Sequence, residues 1–539
     1  MQSTGWNFAD VWEVVADKLP DAPCQIQGER TVTWADFDAR ADGVGQWLLG
    51  LGAKQQDKVA HYLYNGPEYL ESMFGIFKAG LVPVNTNYRY ADEELLYLWD
   101  NADAMAVVFH GAFTERIDGL RTQLPKIQGW LWVDDGSGPC PPWATPYEDV
   151  AEVRPGRLQA PWGRSGDDLY MLYTGGTTGM PKGVMWRQDD IFSILNGTSL
   201  GVRYGAESDL ELVRNSISQP GPKVLPACPL MHGTGAFTSF SALSSAGCVV
   251  TLTNRTFDAV ELLDAVQANR VNVLAIVGDA FAKPMLRALE AAPDNTWDLS
   301  SLLAIISSGV MWSEETKQGL LKHHSGMLLA DQFSSSEALG MGASVSSASG
   351  TSHTAKFRLG ENARVITEDG HDVEPGSGDI GLVAVKGRTP VGYYKDKEKS
   401  DRTFKVIDGD RYSVPGDFAT VEADGTLRLL GRGSVCINTG GEKVFPEEVE
   451  EVLKTHPAVR DAVAVGIPDD KWGEAICALV EAAPGVEIDE ADVIAHVKSR
   501  LASFKAPKRV LVLDTIGRAP NGKVDYKRLK AEASSLLVS

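Results

Sequence analysis

The stretch YTGGTTGMPKG, Tyr173 to Gly183, gathers four glycines, three threonines and a lysine into eleven positions. Glycine allows backbone conformations and close approaches that other residues resist. Successive N–H groups in such a segment form an anion-binding concavity. Thr174, Thr177 and Thr178 add hydroxyl donors, and Lys182 adds a charge. Thr174, Gly175, Gly176, Thr177, Thr178, Gly179 and Lys182 are therefore candidate phosphate-binding residues. The string is not the P-loop G-x-x-x-x-G-K-[ST], because Pro181 precedes Lys182 and Gly183 follows it. The preceding DLYMLY reads as a strand, GGTTGMPKG as the loop leaving it, and a helix begins near Gln188–Asp189.

Such a loop needs a scaffold, and the rest of the chain supplies its pattern. KVAHYLY, then GPEYLESMFGIFKAG, then LVPVN alternate short apolar runs with an amphipathic stretch. VNVLAIVG, LLAIISSG and GMLLADQF are further apolar runs bounded by Gly, Ser or Asp. Strands of this kind separated by helices predict βαβ units and buried parallel sheets. Function is then expected at the carboxyl ends of the strands. From about residue 417 the texture changes. FATVEADGTLRLLGR predicts a hairpin around Asp424-Gly425, and FPEEVEEVLKTH a helix opened by Pro446. VRDAVAVGIPD predicts a strand and EADVIAHVKSRLASF another helix. The fold class expected is α/β, a large N-terminal domain with parallel-rich sheets over residues 1–431. A small C-terminal α+β domain follows over 432–539.

The chain has 539 residues, enough for two or more domains. Its net charge of −21 argues against nucleic acid or an anionic membrane as partner. Residues 431–539 carry only −2 of that charge, so the small domain repels an anionic ligand least. The six cysteines, at 24, 140, 228, 248, 436 and 477, show no C-x-x-C and read as reduced thiols of a cytoplasmic protein. The opening MQSTGWNFADVWEVV has no basic residue before Lys18 and does not read as a secretory signal. Val224–Asn254 contains no Asp, Glu, Lys or Arg, but its prolines and glycines predict buried strands and loops, with no transmembrane segment.

YTGGTTGMPKG resembles the phosphate loop of the adenylate-forming superfamily, which includes acyl-CoA synthetases, firefly luciferase and peptide-synthetase adenylation domains. Six further motifs of that family follow in order. PLMHGTGAF (229–237) carries His232, which the resemblance places beside the carboxylate pocket. SSGV (307–310), with Ser308 and Gly309, resembles the segment packed on adenine. DQFSSSEALG (331–340) resembles Y-G-x-T-E, with Ser336 in the Thr position and Glu337 as the magnesium-linked acid. YSVPGDFA supplies Asp417 for the ribose hydroxyls. GRGSVCINTGGEKVFPEEVE (431–450) supplies Arg432 for the nucleotide and Gly441 for the thiol channel. RAPNGKVDYKRL (518–529) supplies Lys523, the lysine expected to bridge the carboxylate and the adenylating phosphate. The catalytic candidates are Lys523, Glu337 and His232.

The resemblance implies ATP, Mg2+ and coenzyme A as cofactors and co-substrates, and a small mobile domain that rotates between two half-reactions. Two positions depart from the family. Ser434 stands where relatives usually carry a hinge Asp or Lys, and Met185-Trp186-Arg187-Gln188 follows PKGV where many have a His. The expected walls of the acid pocket, 232–240, 276–284 and 307–311, are rich in small residues and offer only Asp279 to catch an ammonium group. A bulky apolar acid is therefore expected. YTGGTTGMPKGVMWRQDDIF and VGDAFAKPM resemble an actinobacterial group acting on long-chain fatty acids or steroid side-chain carboxylates, as in cholesterol breakdown. The alternatives are an acyl-AMP ligase feeding a carrier protein and a non-catalytic nucleotide-binding protein. The expected partners are small molecules, with the chain a homo-oligomer such as a dimer, or a monomer.

Overall fold

The computed structural model describes residues 5–174, 180–197, 202–205, 207–310, 312–439, 442–469, 473–519 and 522–538. Three sheets organise them. The first has eight strands, running Gly392–Tyr393, Lys182–Arg187, Leu169–Thr174, Val82–Asn85, Lys58–Tyr62, Ala104–His110, Gly129–Val133 and Thr145–Pro146. Its central strands are parallel and, apart from Lys58 at the start of one, buried, as a sheet covered on both faces requires. This is why KVAHYLY and LVPVN show apolar runs and no strict alternation.

The second sheet has fifteen strands. Val273–Ile276, Ala304–Ser308 and Leu328–Ser335 lie parallel, as their sequence runs predict. At Ala338–Ser346 the sheet turns antiparallel and continues through Lys356–Leu359, Thr426–Arg432 and Asp417–Val421. The Asp424-Gly425 hairpin thus belongs to the large sheet. The third sheet is separate, with five strands beginning at Ile437–Thr439 and centred on the long antiparallel pair Val459–Asp469 and Gly473–Ala482. Pro446 opens the helix Pro446–Lys454 at its first position, where a missing N–H costs nothing.

One hydrophobic cluster takes side chains from both large sheets, with Val59 and Tyr170 from one and Val224 and Val249 from the other. Trp12 anchors it, packing edge-on against Phe74 and Phe240 at 5.4 and 5.8 Å. The uncharged stretch 224–254 breaks into the strand Lys223–Pro226, the helix Gly233–Ser244 and the strand Cys248–Thr251. Among the described residues no helix is long and apolar enough to cross a membrane.

Lys78 is fully buried at the end of the helix Pro67–Lys78. Its ammonium lies 2.5 Å from Asp42 Oδ1 and 3.5 Å from Glu13 Oε1, and donates to the Asp38 carbonyl at 3.1 Å. Lys78→Met strands the buried Asp42 without its cation, whereas Glu13 keeps Arg164 at 2.7 Å. The expected loss is about 3–5 kcal/mol, the range for breaking a buried pair on one side. Denaturant unfolding measures it, and a loss under about 1 kcal/mol, the worth of a surface pair, contradicts the burial argument.

Candidate functional site

The carboxyl ends of the parallel strands carry the predicted segments. Thr174 ends Leu169–Thr174, and Ser308 ends Ala304–Ser308. Gly309 follows with φ +97°, a conformation that favours glycine. Gly175, Gly176, Thr177, Thr178 and Gly179 lie outside the described residues, as does Gly441. The loop's exit differs from the sequence expectation. Lys182 opens a strand, Lys182–Arg187, that folds back antiparallel on Leu169–Thr174, with Lys182 directly opposite Thr174. The helix begins at Gln188, as predicted. The ammonium of Lys182 stands 2.8 Å from Asp396.

Trp186, one of the residues that departs from the family, is fully buried in that extra strand. Its indole N–H donates to the Ser336 carbonyl at 2.9 Å. The next strand over holds Tyr393, whose hydroxyl donates to Glu337 Oε1 at 2.8 Å. Ser413 Oγ donates to the Glu337 carbonyl at 2.7 Å. The phosphate-loop hairpin and the turn bearing Glu337 are thus tied across two sheets.

Asp417 and Arg432 face each other as cross-strand partners at one end of their hairpin. Arg432 Nε donates to Asp417 Oδ1 at 3.1 Å. Asp417 is buried, and its Oδ2 has no hydrogen-bond partner among the described residues. Burial raises its carboxyl above the ordinary value, and the neighbouring guanidinium only partly opposes this. The charge of Asp417 in turn holds Arg432 firmly protonated. The Arg432 side chain keeps 44% of its area accessible although protein crowds around it.

Lys523, from the small domain, lies within electrostatic reach of these two residues. It retains exposed surface, yet burial pushes its ammonium below the ordinary lysine value. Arg432 pushes the same way, while Glu337 and Asp417 oppose. His232, half-buried at the start of the helix Gly233–Ser244, is held neutral down to about 3, chiefly by burial and then by the Lys523 charge. Lys523, Arg432, Glu337, Asp417 and His232 therefore share one electrostatic environment. Gly522, just before Lys523, seats directly on the large domain. A Cβ added to Gly522, at φ +71°, would stand 2.9 Å from Ala280 Cβ and 3.3 Å from Val310 Cγ2.

These contacts bring together two of the expected pocket walls. The third is joined to them by Thr234 Oγ1, which lies 3.5 Å from the Ser308 carbonyl, the limit of a hydrogen bond. Asp279 is already engaged. It accepts from Ser313 N and Oγ at 3.1 and 3.0 Å and lies 3.3 Å from Lys283.

Sequence reasoning missed Tyr393, Trp186, Ser413 and Glu447. The Trp186 departure was a visible signal, whereas the others are joined to their partners only by folding. Glu447 packs on Gly431, whose φ is +134°, so tightly that an added Cβ would fall 2.1 Å from its Oε2. Burial and Glu450 raise its carboxyl to about 8. The chain then passes through a short 3-10 turn, Gly433–Val435, before the third sheet. Gly431→Ala is expected to cost about 1–3 kcal/mol through backbone strain alone. Displacing Glu447 adds to that loss. Thermal unfolding checks it, and an unchanged midpoint contradicts the contact.

Among the described residues no group of three or more His, Cys, Asp or Glu could hold a metal ion. A family model described as AMP-binding enzyme matches residues 12–394, and one described as AMP-binding enzyme C-terminal domain matches residues 448–523. A medium/long-chain-fatty-acid–CoA/3-oxocholest-4-en-26-oate–CoA ligase of Mycolicibacterium smegmatis is 39% identical over 530 residues, spanning 97% of this chain and 96% of the relative. A 3-oxocholest-4-en-26-oate–CoA ligase of Rhodococcus rhodochrous is 38% identical over 535 residues, spanning 97% and 95%. The fold is shared with the crystal structure of an anthranilate CoA ligase in complex with anthranoyl-AMP, with a TM-score of 0.83, 21% identity and coverage of 99% and 98%. With both of its domains matched, the chain belongs to the AMP-binding enzyme family.

Proposed function

We propose that this protein is an ATP-dependent acid–CoA ligase. A carboxylate oxygen attacks the α-phosphate of ATP, the bond to pyrophosphate breaks, and acyl-AMP forms. The sulfur of coenzyme A then attacks the acyl carbonyl, and AMP leaves with the bonding electron pair. The observation that carries this reading is that Lys523, Arg432, Glu337 and Asp417 lie close enough to act on one another's charge. Two cations and two carboxylates from both parts of the chain suit a reaction whose main need is charge stabilisation around phosphates.

On this reading Asp417 accepts hydrogen bonds from the ribose hydroxyls through Oδ2, which has no partner among the described residues. Arg432 and Lys523 stabilise the charge that develops at the α-phosphate. Lys182 and the loop 174–179 hold the departing phosphates. Ser308 and Gly309 pack on adenine, and Ser336 lies beside the triphosphate. His232, neutral at working pH, sits beside the carboxylate without competing for its charge. Gly441 lines the path of the thiol. Glu337 is the residue that would hold magnesium. An ion bound mainly by ATP phosphates and water, with one protein carboxylate, suits magnesium and requires no protein cage. When bound, magnesium supplies neutralisation of phosphate charge.

The domain boundary falls at Gly431/Arg432, and the turn Gly433–Val435 with Ser434 is the hinge. The acid is bulky and apolar, of the fatty or steroid side-chain type named for the relatives. Engagement of Asp279 by Ser313 and Lys283 supports this, since it leaves that carboxylate unsuited to an amino acid's ammonium. Cytoplasmic location is supported by the six unbridged cysteines.

The test is ATP- and CoA-dependent thioester formation, followed by mass spectrometry, across acetate, long-chain fatty acids, steroid side-chain acids and aryl acids. Thioester with an apolar chain or steroid acid supports the reading. Acyl-AMP without thioester favours transfer to a carrier protein, and no product with any acid overturns ligase activity.

A further inference from the structure

Arg518 lies five residues before Lys523 and takes no part in the chemistry proposed above. Its Nε donates to Asp461 Oδ2 at 2.6 Å and its Nη2 to Asp461 Oδ1 at 2.9 Å. Nη2 also reaches the Ala462 carbonyl at 3.3 Å. The remaining nitrogen, Nη1, donates to the Gly522 carbonyl at 3.1 Å. A planar guanidinium presents these donors in a fixed fork, so one acceptor set orients the other. Asp461 belongs to the strand Val459–Asp469, paired along its length within the third sheet. The pair is mostly buried, with side chains 19% and 21% exposed.

The Gly522 carbonyl belongs to the peptide unit that ends at the nitrogen of Lys523. That unit is planar, so holding its oxygen also holds the Lys523 Cα. The other side of Lys523 is held as well, because its carbonyl accepts from Ala519 N at 2.9 Å. Gly522 N closes the turn on the Ala519 carbonyl at 2.7 Å. Gly522 meanwhile rests against Ala280 and Val310 of the large domain.

We propose that Arg518 is a positioning residue that fixes Lys523 for the adenylation half-reaction by bracing its turn against Asp461. The proposal rests on the ligase reading. Lys523 serves the first half-reaction alone, so a displaced turn should slow that step and spare thioester formation. A purely structural ion pair would affect both steps and the unfolding midpoint together.

The experiment compares Arg518→Lys, Asp461→Asn and Lys523→Ala in two assays. One is acid-dependent ATP–pyrophosphate exchange, and the other is thioester formation from pre-made acyl-AMP and CoA. Both new variants keep polar side chains of similar size, and their unfolding midpoints are measured alongside. Arg518→Lys is expected to slow exchange by about 10²-fold, the scale of a displacement near 1 Å at a reacting group. The KM for ATP and the thioester step should stay near wild type. Asp461→Asn should slow exchange in the same selective way but less, since the amide still accepts one bond.

If the wild-type protein shows no acid-dependent exchange, the ligase reading itself fails, and if Lys523→Ala leaves exchange intact, the role given to Lys523 fails and the positioning role with it. If Lys523→Ala abolishes exchange but Arg518→Lys leaves it at the wild-type rate, the positioning role is overturned. It is equally overturned if Arg518→Lys slows both half-reactions alike in step with a lowered midpoint.

Discussion

Lys523→Ala should lower acid-dependent pyrophosphate release by about 10²–10³-fold, the loss that follows removal of one preorganised charge-stabilising group. Thioester formation from pre-made acyl-AMP should be largely spared. The asymmetry follows from where the lysine stands. It belongs to the small domain and follows Gly522, which meets the large domain at Ala280 and Val310. Its ammonium answers to Glu337 and Asp417 while Arg432 opposes it. This is the arrangement for a step in which negative charge builds on the α-phosphate. Once acyl-AMP exists, that charge no longer builds, and the small domain is expected to present its other face. Separate assays of the two half-reactions decide the matter, and equal loss in both contradicts a two-face enzyme.

Asp417→Asn should raise the KM for ATP by about 10- to 100-fold, from the loss of a charged hydrogen bond worth about 1.5–3 kcal/mol. Asp417 is buried with one oxygen on Arg432 and the other without a partner among the described residues. A buried acceptor left unsatisfied carries a desolvation cost, and a ribose hydroxyl is the donor that would relieve it. The amide turns a donor toward those hydroxyls where an acceptor is needed. Free-protein stability should not fall with affinity, because burial already disfavours this carboxylate and Arg432 keeps access to solvent. Calorimetry with a non-hydrolysable ATP analogue, beside thermal unfolding, separates the two effects. Affinity within about twofold of wild type, well under one kcal/mol, contradicts the ribose role.

The sequence made regular elements legible wherever one periodicity dominated. VRDAVAVGIPD is the strand Val459–Asp469 from end to end, and FPEEVEEVLKTH holds the helix Pro446–Lys454. The parallel strands could be read because a sheet covered on both faces needs continuous apolar runs. The return strand Lys182–Arg187 was hidden. Pro181, Lys182 and Gly183 carry loop chemistry, so the hairpin partner of Leu169–Thr174 looked like a continuation of the loop.

The proposed site residues could be named from the sequence only where a family motif marks them. Glu337 belongs to such a motif, but the hydroxyl that orients it comes from Tyr393, 56 residues later. Gly522 shows φ freedom in its type, but its contact with Ala280 and Val310 exists only when the two parts of the chain meet. Spacing along a chain cannot encode either relation. The unusual Trp186 is the instructive middle case. Its departure from the family was visible, while its purpose, an indole bond to the Ser336 carbonyl, required the fold.

The most direct measurement is exchange of labelled pyrophosphate into ATP by the wild-type protein, with long-chain and steroid side-chain acids and without coenzyme A. The account predicts exchange that requires the acid and magnesium, does not require coenzyme A, and yields acyl-AMP. Exchange that occurs without any acid, or turnover that releases ADP in place of AMP, would contradict it.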